Sequence, residues 1–527
     1  TESYYHQRTK QITGAVALKR NAPYTDEDAS ADAQSIGRLY FTLGHPYADV
    51  KTEAKESGHP NRIIVIHTIK EGPEVRFGKV MVRGNYRTDD WVVREELGFG
   101  ENDVLTLAAA ERAQQNLRSA GLFRSAAVNL VDFDDKRYSN VNVLIEVQER
   151  DRWGWEASAG YSSDNGKFAE LSYYHRNFLG DGIRGEIKGH LADRLRLVEA
   201  KGFLPRWIGR RMTFGSVALN TELTAFFRDE DSDRFANLRS AGTSLSFSKS
   251  WGAFGAYSLG LRWDVRRVSR DEELIRPPGA SDDIDKAPVA TTTGAIGPVL
   301  TVNKRTDAQG RPNPLAPQGG YYLQFSASYA DSLLSAPIEL FGFSRGRDRF
   351  LKLGAAGQYF FRPSKHTQIS TALRYDHGIP LGNEFLLPEV ERYFAGGDTT
   401  VRGFERDRLK TEVIVEPVPP IEGLTQIRIL PAGGNIRAIG NLDFQLELWD
   451  LWGIPVASAL FVDCGVVTNS WLGFDTSEIK HGIGLGMSPF RLVAPFGTIS
   501  IEYAFPLFPE LGDDPRGRLH FNIGVLF

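Results

Sequence analysis

Apolar and polar residues alternate with a period of two along the C-terminal part of the chain. In the last segment Leu519, Phe521, Ile523, Val525 and Phe527 are apolar, while His520, Asn522 and Gly524 between them are polar or small. Ile499, Ile501, Tyr503 and Phe505 alternate with Thr498, Ser500, Glu502 and Ala504, and Ile483, Leu485 and Met487 with Gly482, Gly484 and Gly486. Tyr321, Leu323, Phe325 and Tyr329 do the same with Gln324, Ser326 and Ser328. Successive side chains of a strand point to opposite faces, so each run predicts a strand with one apolar, often aromatic face and one polar or glycine face. This texture continues from Asp151 to the end with no helical period between the runs. A single soluble sandwich rarely grows so large. A closed transmembrane barrel, apolar toward lipid and polar toward its lumen, fits better. The connections agree: Gly180-Asp181-Gly182 and Pro363-Ser364-Lys365-His366 are tight, whereas 269–290 and 378–434 are long and rich in Gly, Pro and charge. Short turns at one end and long loops at the other are how outer-membrane barrels are built. The closing aromatic, Phe527, within the last such run predicts that the barrel ends the molecule.

Residues 1–150 have a different period. Thr25 to Asp28 forms a capping-box-like start, and a helix is predicted through Ile36, Leu39 and Tyr40 to Gly44. Ile63 to Ile66 is a short strand, ended by Glu71-Gly72-Pro73. The pattern recurs with helices at Val92–Leu97 and Leu107–Ala120 and a strand at Val141–Val147. Gly44 falls opposite Gly121, 77 positions on, and Glu71 opposite Glu149, 78 on. Two copies of a compact β-α-α-β-β unit, 1–73 and 74–150, explain the match. Units this small have no room for a sizeable active-site cleft, but their short open sheet edges suit an extended segment added as a strand. Structural spacers are the plainer reading.

Composition removes several classes of function. A net charge of −4 and a pI near 6.2 argue against a nucleic-acid surface. The one cysteine, Cys464, excludes an intrachain disulfide framework, and the ten histidines show no metal-ligand spacing. No apolar run approaches the length of a spanning helix. The mean hydropathy of −0.29 is compatible with a barrel, which needs only alternate residues to be apolar. With no signal peptide visible, Thr1 reads as a processed or trimmed end. Enzyme motifs appear only by accident. Gly342-Phe343-Ser344-Arg345-Gly346 matches a nucleophile elbow without its strand-turn-helix setting. Gly160 to Lys167 has the wrong phosphate-loop spacing and lacks the Ser/Thr. Gly482-x-Gly484-x-Gly486 is a lumen-facing stripe with no helix after it.

The informative constellation lies in the long loop 378–434, in Tyr393-Phe394-Ala395-Gly396-Gly397-Asp398-Thr399-Thr400-Val401-Arg402-Gly403-Phe404. Val401-Arg402-Gly403-Phe404 resembles the VRGF/Y motif in the sixth extracellular loop of the BamA/TamA family. Gly433-Gly434-Asn435, the strand motif Phe461-Val462-Asp463-Cys464-Gly465, the terminal Phe521-Asn522-Ile523-Gly524 and the turn Asn177-Phe178-Leu179-Gly180 follow the same family pattern. The resemblance covers essentially the whole chain. It implies two α+β POTRA repeats, then an all-β transmembrane barrel (151–527) of sixteen antiparallel strands with the motif loop folded into the lumen. It also implies a bacterial outer-membrane location with the repeats in the periplasm. The implied function is non-enzymatic and free of cofactors: insertion of β-barrel proteins into the membrane. Unfolded outer-membrane proteins would be the clients, lipid the surroundings, and accessory subunits would dock on the repeats.

Alternation gives these motifs physical content. In 435–448, Ile436, Ala438, Leu442, Phe444, Leu446 and Leu448 form a lipid face, and Asn435, Arg437, Asn441, Asp443, Gln445 and Glu447 a lumen face. In 456–466, Val456, Leu460, Val462, Cys464 and Val466 face lipid, and Phe461, Asp463 and Gly465 the lumen. Asp443 and Asp463 therefore both point inward from consecutive strands. With the loop inserted as the resemblance implies, Arg402 would meet two carboxylates; otherwise they are solvated lumen charges. The strands that close the barrel, 153–163 and 518–527, form its seam. Gly154 and Gly160 in the first weaken pairing, and Gly524 and Phe527 lie in the last. A weak seam could open sideways and template a client strand. The alternatives are a two-partner-secretion translocation pore, which shares the loop motif and has two such repeats, and a passive porin, which would not need them.

Overall fold

The computed structural model describes residues 2–19, 23–59, 62–131, 133, 139–206, 219–231, 237–252, 255–270, 289–314, 317–382, 384–417, 425–451, 454–472, 474–489, 498–510 and 512–524. The chain forms two units: residues 1–153 with 176–183, and residues 154–175 with 184–527.

The first unit begins with helices α1 (Glu2–Ala15) and α2 (Asp26–Thr42) and the hairpin β1 (Asp49–Glu56) and β2 (Ile63–Lys70). Thr25 caps α2, its hydroxyl accepting from the Asp28 amide. Next come β3 (Arg76–Arg83), α3 (Asp90–Leu97), α4 (Leu107–Ser119), β4 (Phe123–Val131) and β5 (Asn140–Glu149). Strand β5 is central, parallel to β3 and antiparallel to β4. Its alternate residues Val141, Val143, Ile145 and Val147 are buried against Val93, Leu97 and Leu117 from the helices. The second half thus has the full β-α-α-β-β order. Among the described residues the first half has only α-α-β-β, with a helix where a leading strand was predicted. The two halves are not insulated from one another, since Tyr47 belongs to the core of the second. The loop Arg176–Ile183 also belongs to this unit: Asn177 donates to the Thr88 hydroxyl at 2.9 Å and accepts from the Gly182 amide at 2.8 Å.

The second unit is the barrel. Its strands are β6 (Trp153–Ser162), β7 (Gly166–Phe178), β8 (Ile183–Ala192), β9 (Leu195–Arg206), β10 (Leu219–Glu230) and β11 (Leu238–Trp251). β12 (Tyr257–Arg270), β13 (Val289–Asn303), β14 (Gly320–Ala330), β15 (Phe350–Ser364) and β16 (Thr367–Pro380) continue it. After the loop hairpin β17 (Thr411–Pro417) and β18 (Thr425–Pro431) come β19 (Ile436–Leu451), β20 (Ile454–Thr468), β21 (Lys480–Pro489), β22 (Thr498–Leu507) and β23 (Arg518–Gly524). Without that hairpin, sixteen strands pair in chain order and β23 meets β6. The outward stripe is exposed, as in Leu442, Phe444, Leu460 and Val462, while inward Phe461 and Asp463 are buried. Ile436 and Val466 are exceptions at the loop-bearing end. Both are buried, and Val466 lines an apolar hollow with Trp471, Phe474 and Ile479. The stretch 271–288 within the long connection 269–290, and Phe527, lie outside the described residues.

Candidate functional site

The segment between β16 and β19 folds into the lumen because glycine permits turns and close approaches there. Gly396, Gly397 and Gly403 have φ of +116°, +99° and +97°, in the left-handed region that side chains other than glycine rarely occupy. The wall makes room as well. A Cβ on Gly482 would stand 2.0 Å from the Arg402 carbonyl oxygen, and one on Gly484 2.3 Å from the Phe461 ring. Gly482 of β21 is the point of the wall on which the loop tip lies, while Gly484 makes room for the Phe461 ring.

Arg402 sits over this part of the wall, 8% exposed. Its Nε donates to Asp463 Oδ2 at 2.7 Å and its Nη2 to Asp463 Oδ1 at 2.8 Å, a bidentate pair. Nη2 also donates to Asp443 at 2.9 Å and Nη1 to Glu502 at 3.1 Å. The Arg402 backbone amide donates to Asp463 at 3.0 Å, and the guanidinium lies 3.5 Å from the centre of the Phe461 ring. Asn441 shares Asp463 and holds the Thr400 carbonyl, so the backbone before the arginine is fixed too. Burial alone would lower the arginine's pKa; Asp463, Asp443 and Glu502 outweigh it and hold the group above its ordinary range. Val401 and Phe404 are fully buried with Ala395, Leu409, Ile439 and Val467.

Two partners of Arg402 were visible in the sequence without being assigned: Glu502 and Phe461 both fall on inward positions. A second anchor carried no such signal. Glu391, in a short turn ahead of the motif, is buried among Arg266 of β12, Thr293 of β13 and Lys352 of β15. It accepts from Lys352 Nζ at 2.6 Å, Thr293 Oγ1 at 2.9 Å and Arg266 Nε at 3.2 Å. Burial pushes its carboxyl up, but Lys352 and Arg266 more than reverse this and hold it at about 2. Glu389 pairs with Arg270 beside it. The base of the loop is tied by Asn435, which accepts from the Leu387 amide at 2.9 Å and donates to the Phe385 carbonyl at 2.8 Å. The inserted loop therefore presents a cation to an acidic wall and a carboxylate to a basic one.

Among the described residues, strands β23 and β6 share two residue pairs, Asn522 with Ser162 and Ile523 with Tyr161. Gly154 lies in the part of β6 before these pairs, and a Cβ there would meet the Tyr174 hydroxyl at 2.3 Å. Gly160 directly precedes Tyr161, and Gly524 pairs with Thr498 on the other side. No group of metal-ligating side chains occurs among the described residues.

Comparison with known proteins adds the following. The family model described as the Omp85 superfamily domain matches residues 156–527, and the POTRA model, described as a surface antigen variable number repeat, matches 75–150. The outer membrane protein assembly factor BamA of Nitratidesulfovibrio vulgaris is 22% identical over 97% of the chain, which spans 58% of that relative's length. Among solved structures, BamA from Haemophilus ducreyi lacking POTRA domains 1–3 superposes with a TM-score of 0.68 at 16% identity, covering 98% of this chain and 96% of that one. CdiB from Acinetobacter baumannii gives 0.55 at 12% identity, over 99% and 87%.

Proposed function

The chain belongs to the Omp85 superfamily, and from that premise we propose that it is a non-enzymatic insertase that folds other β-barrel proteins into the bacterial outer membrane through the seam between β23 and β6. Its barrel lies in the outer membrane and its N-terminal region in the periplasm. The observation that carries the reading is the superfamily match over the barrel, together with the assembly-factor relatives aligned over nearly the whole chain. The seam joins the first and last strands of the barrel, and a strand edge released there would be a template for another strand. The energy would come from the client's own folding, as each new backbone hydrogen bond removes a polar group from lipid.

In this reading residues 1–73 and 74–150 are two repeats that receive unfolded outer-membrane proteins or accessory subunits. Arg402 with Asp443 and Asp463 holds the loop in place. The translocation-pore alternative is less well supported, because the curated relatives aligned over nearly the whole chain are assembly factors.

The test is a reversible lock. Ser162 and Asn522 face each other across the seam, close enough for a disulfide. In a Cys464→Ser background, Ser162→Cys with Asn522→Cys should abolish insertion of client barrels into proteoliposomes when oxidised and restore it on reduction. Undiminished insertion by the oxidised protein would refute the lateral seam.

A further inference from the structure

The loop tip touches both margins of the seam. On the β6 side, the Asp398 amide donates to Asp164 Oδ2 at 3.1 Å and Arg406 Nη1 to Asn165 Oδ1 at 3.1 Å. Asp164 and Asn165 form the turn between β6 and β7. Gly397 permits this approach, since a Cβ there would stand 2.6 Å from the Asp164 carboxylate. On the β23 side, the Gly403 amide donates to His520 Nε2 at 3.1 Å, and Arg518 Nη2 donates to Glu405 Oε1 at 2.6 Å. His520 is 3% exposed. Because its Nε2 accepts, the ring carries its proton on Nδ1.

Directly between the strands, the described residues give two residue pairs, the Ser163 amide donating to the Phe521 carbonyl at 3.1 Å, the Phe521 amide donating to the Ser163 hydroxyl at 3.4 Å, and a ring contact of Tyr161 with Phe521. Four hydrogen bonds through the loop thus join the two margins at this end of the seam.

We propose that residues 397–406 are a clasp that holds the loop-bearing end of the seam shut, with Asp164 and His520 as its positioning residues on the two margins. Opening the seam then requires release of one margin. The other can stay bound, because Arg402 remains anchored on β19, β20 and β22 whichever margin lets go. The inference rests on the reading of the seam as the working site and names what regulates it.

The experiment measures opening without a client. In the Cys464→Ser background, spin labels at Lys167→Cys on β7 and Leu507→Cys on β22 straddle the seam near its loop end, and pulsed electron resonance gives the fraction of separated margins. Asp164→Ala with His520→Leu removes an acceptor on each side and should shift the closed-to-open ratio about tenfold toward open, the order expected for lost hydrogen bonds. Asp164→Asn with His520→Gln keeps an acceptor at each place and should restore the parental distribution. Resistance of the folded barrel to cold detergent shows that each variant has folded. Superimposable distributions for the Ala/Leu variant and its parent would overturn the clasp. That result would leave the insertase reading standing, because the disulfide lock tests it separately.

Discussion

Arg402 donates to three carboxylates, so losing it leaves negative charges facing one another in a largely desolvated space. Removing one partner of a buried pair typically costs about 3–5 kcal/mol. Arg402→Ala and Asp463→Ala should each expose the loop 385–435 to limited proteolysis, and the double change should cost less than the sum of the two. Arg402→Lys should not rescue, because an ammonium cannot make the planar bidentate pair; full protection in that variant would show that charge alone suffices. Glu391 gives a prediction of opposite sign in charge. Its carboxyl is held at about 2, below the ordinary 4.5. A depressed carboxylate contributes stability that is complete above the unfolded value and lost as pH falls through the folded one. Anchoring at Glu391 should therefore be intact at neutral pH, weaken below 4.5 and vanish near 2. Amide hydrogen exchange of 385–395, corrected for the intrinsic rate, checks this, and loss of protection already above that window would contradict it. At this scale legibility followed periodicity. Asp443 and Asp463 could be placed inward because strand alternation gives direction. Glu391 could not, because it sits in an irregular turn where no period says which way a side chain points.

Among the elements, β21 shows best how strand chemistry serves the loop. Its glycines break no fold rule, yet a single methyl at Gly482 would stand 2.0 Å from the Arg402 carbonyl oxygen. Gly482→Ala should displace the loop tip and destabilise it by roughly 1–3 kcal/mol, as overpacking does. Gly185→Ala in β8 is the control, with its nearest atom at 3.9 Å. Equal protease resistance in the two variants would show that the tip does not rest on Gly482. The strands themselves were readable wherever lipid and lumen faces alternate, and the helices α2, α3 and α4 wherever caps and apolar spacing agree. Helix α1 was not foreseen: Glu2–Ala15 is polar nearly throughout and offers no apolar stripe. Strand β1 was missed for a related reason, since Asp49–Glu56 is mostly exposed and charged.

For the molecule as a whole, the motifs identified the superfamily and the sixteen-strand barrel, but the pairing of opposite charges on the two sides of the loop emerged only in three dimensions. That pairing has a consequence in time. The partners of Glu391 (Arg266, Thr293 and Lys352) all precede it in the chain, and those of Arg402 (Asp443, Asp463 and Glu502) all follow it. Contacts must wait for the chain segments they join. The first tie can therefore form while the last five strands are still unplaced, and the second begins on β19 and β20 and is complete only when β22 has brought Glu502. The loop is a seam-stitch between an early half and a late half, and its second knot records that the barrel's own construction is nearly finished.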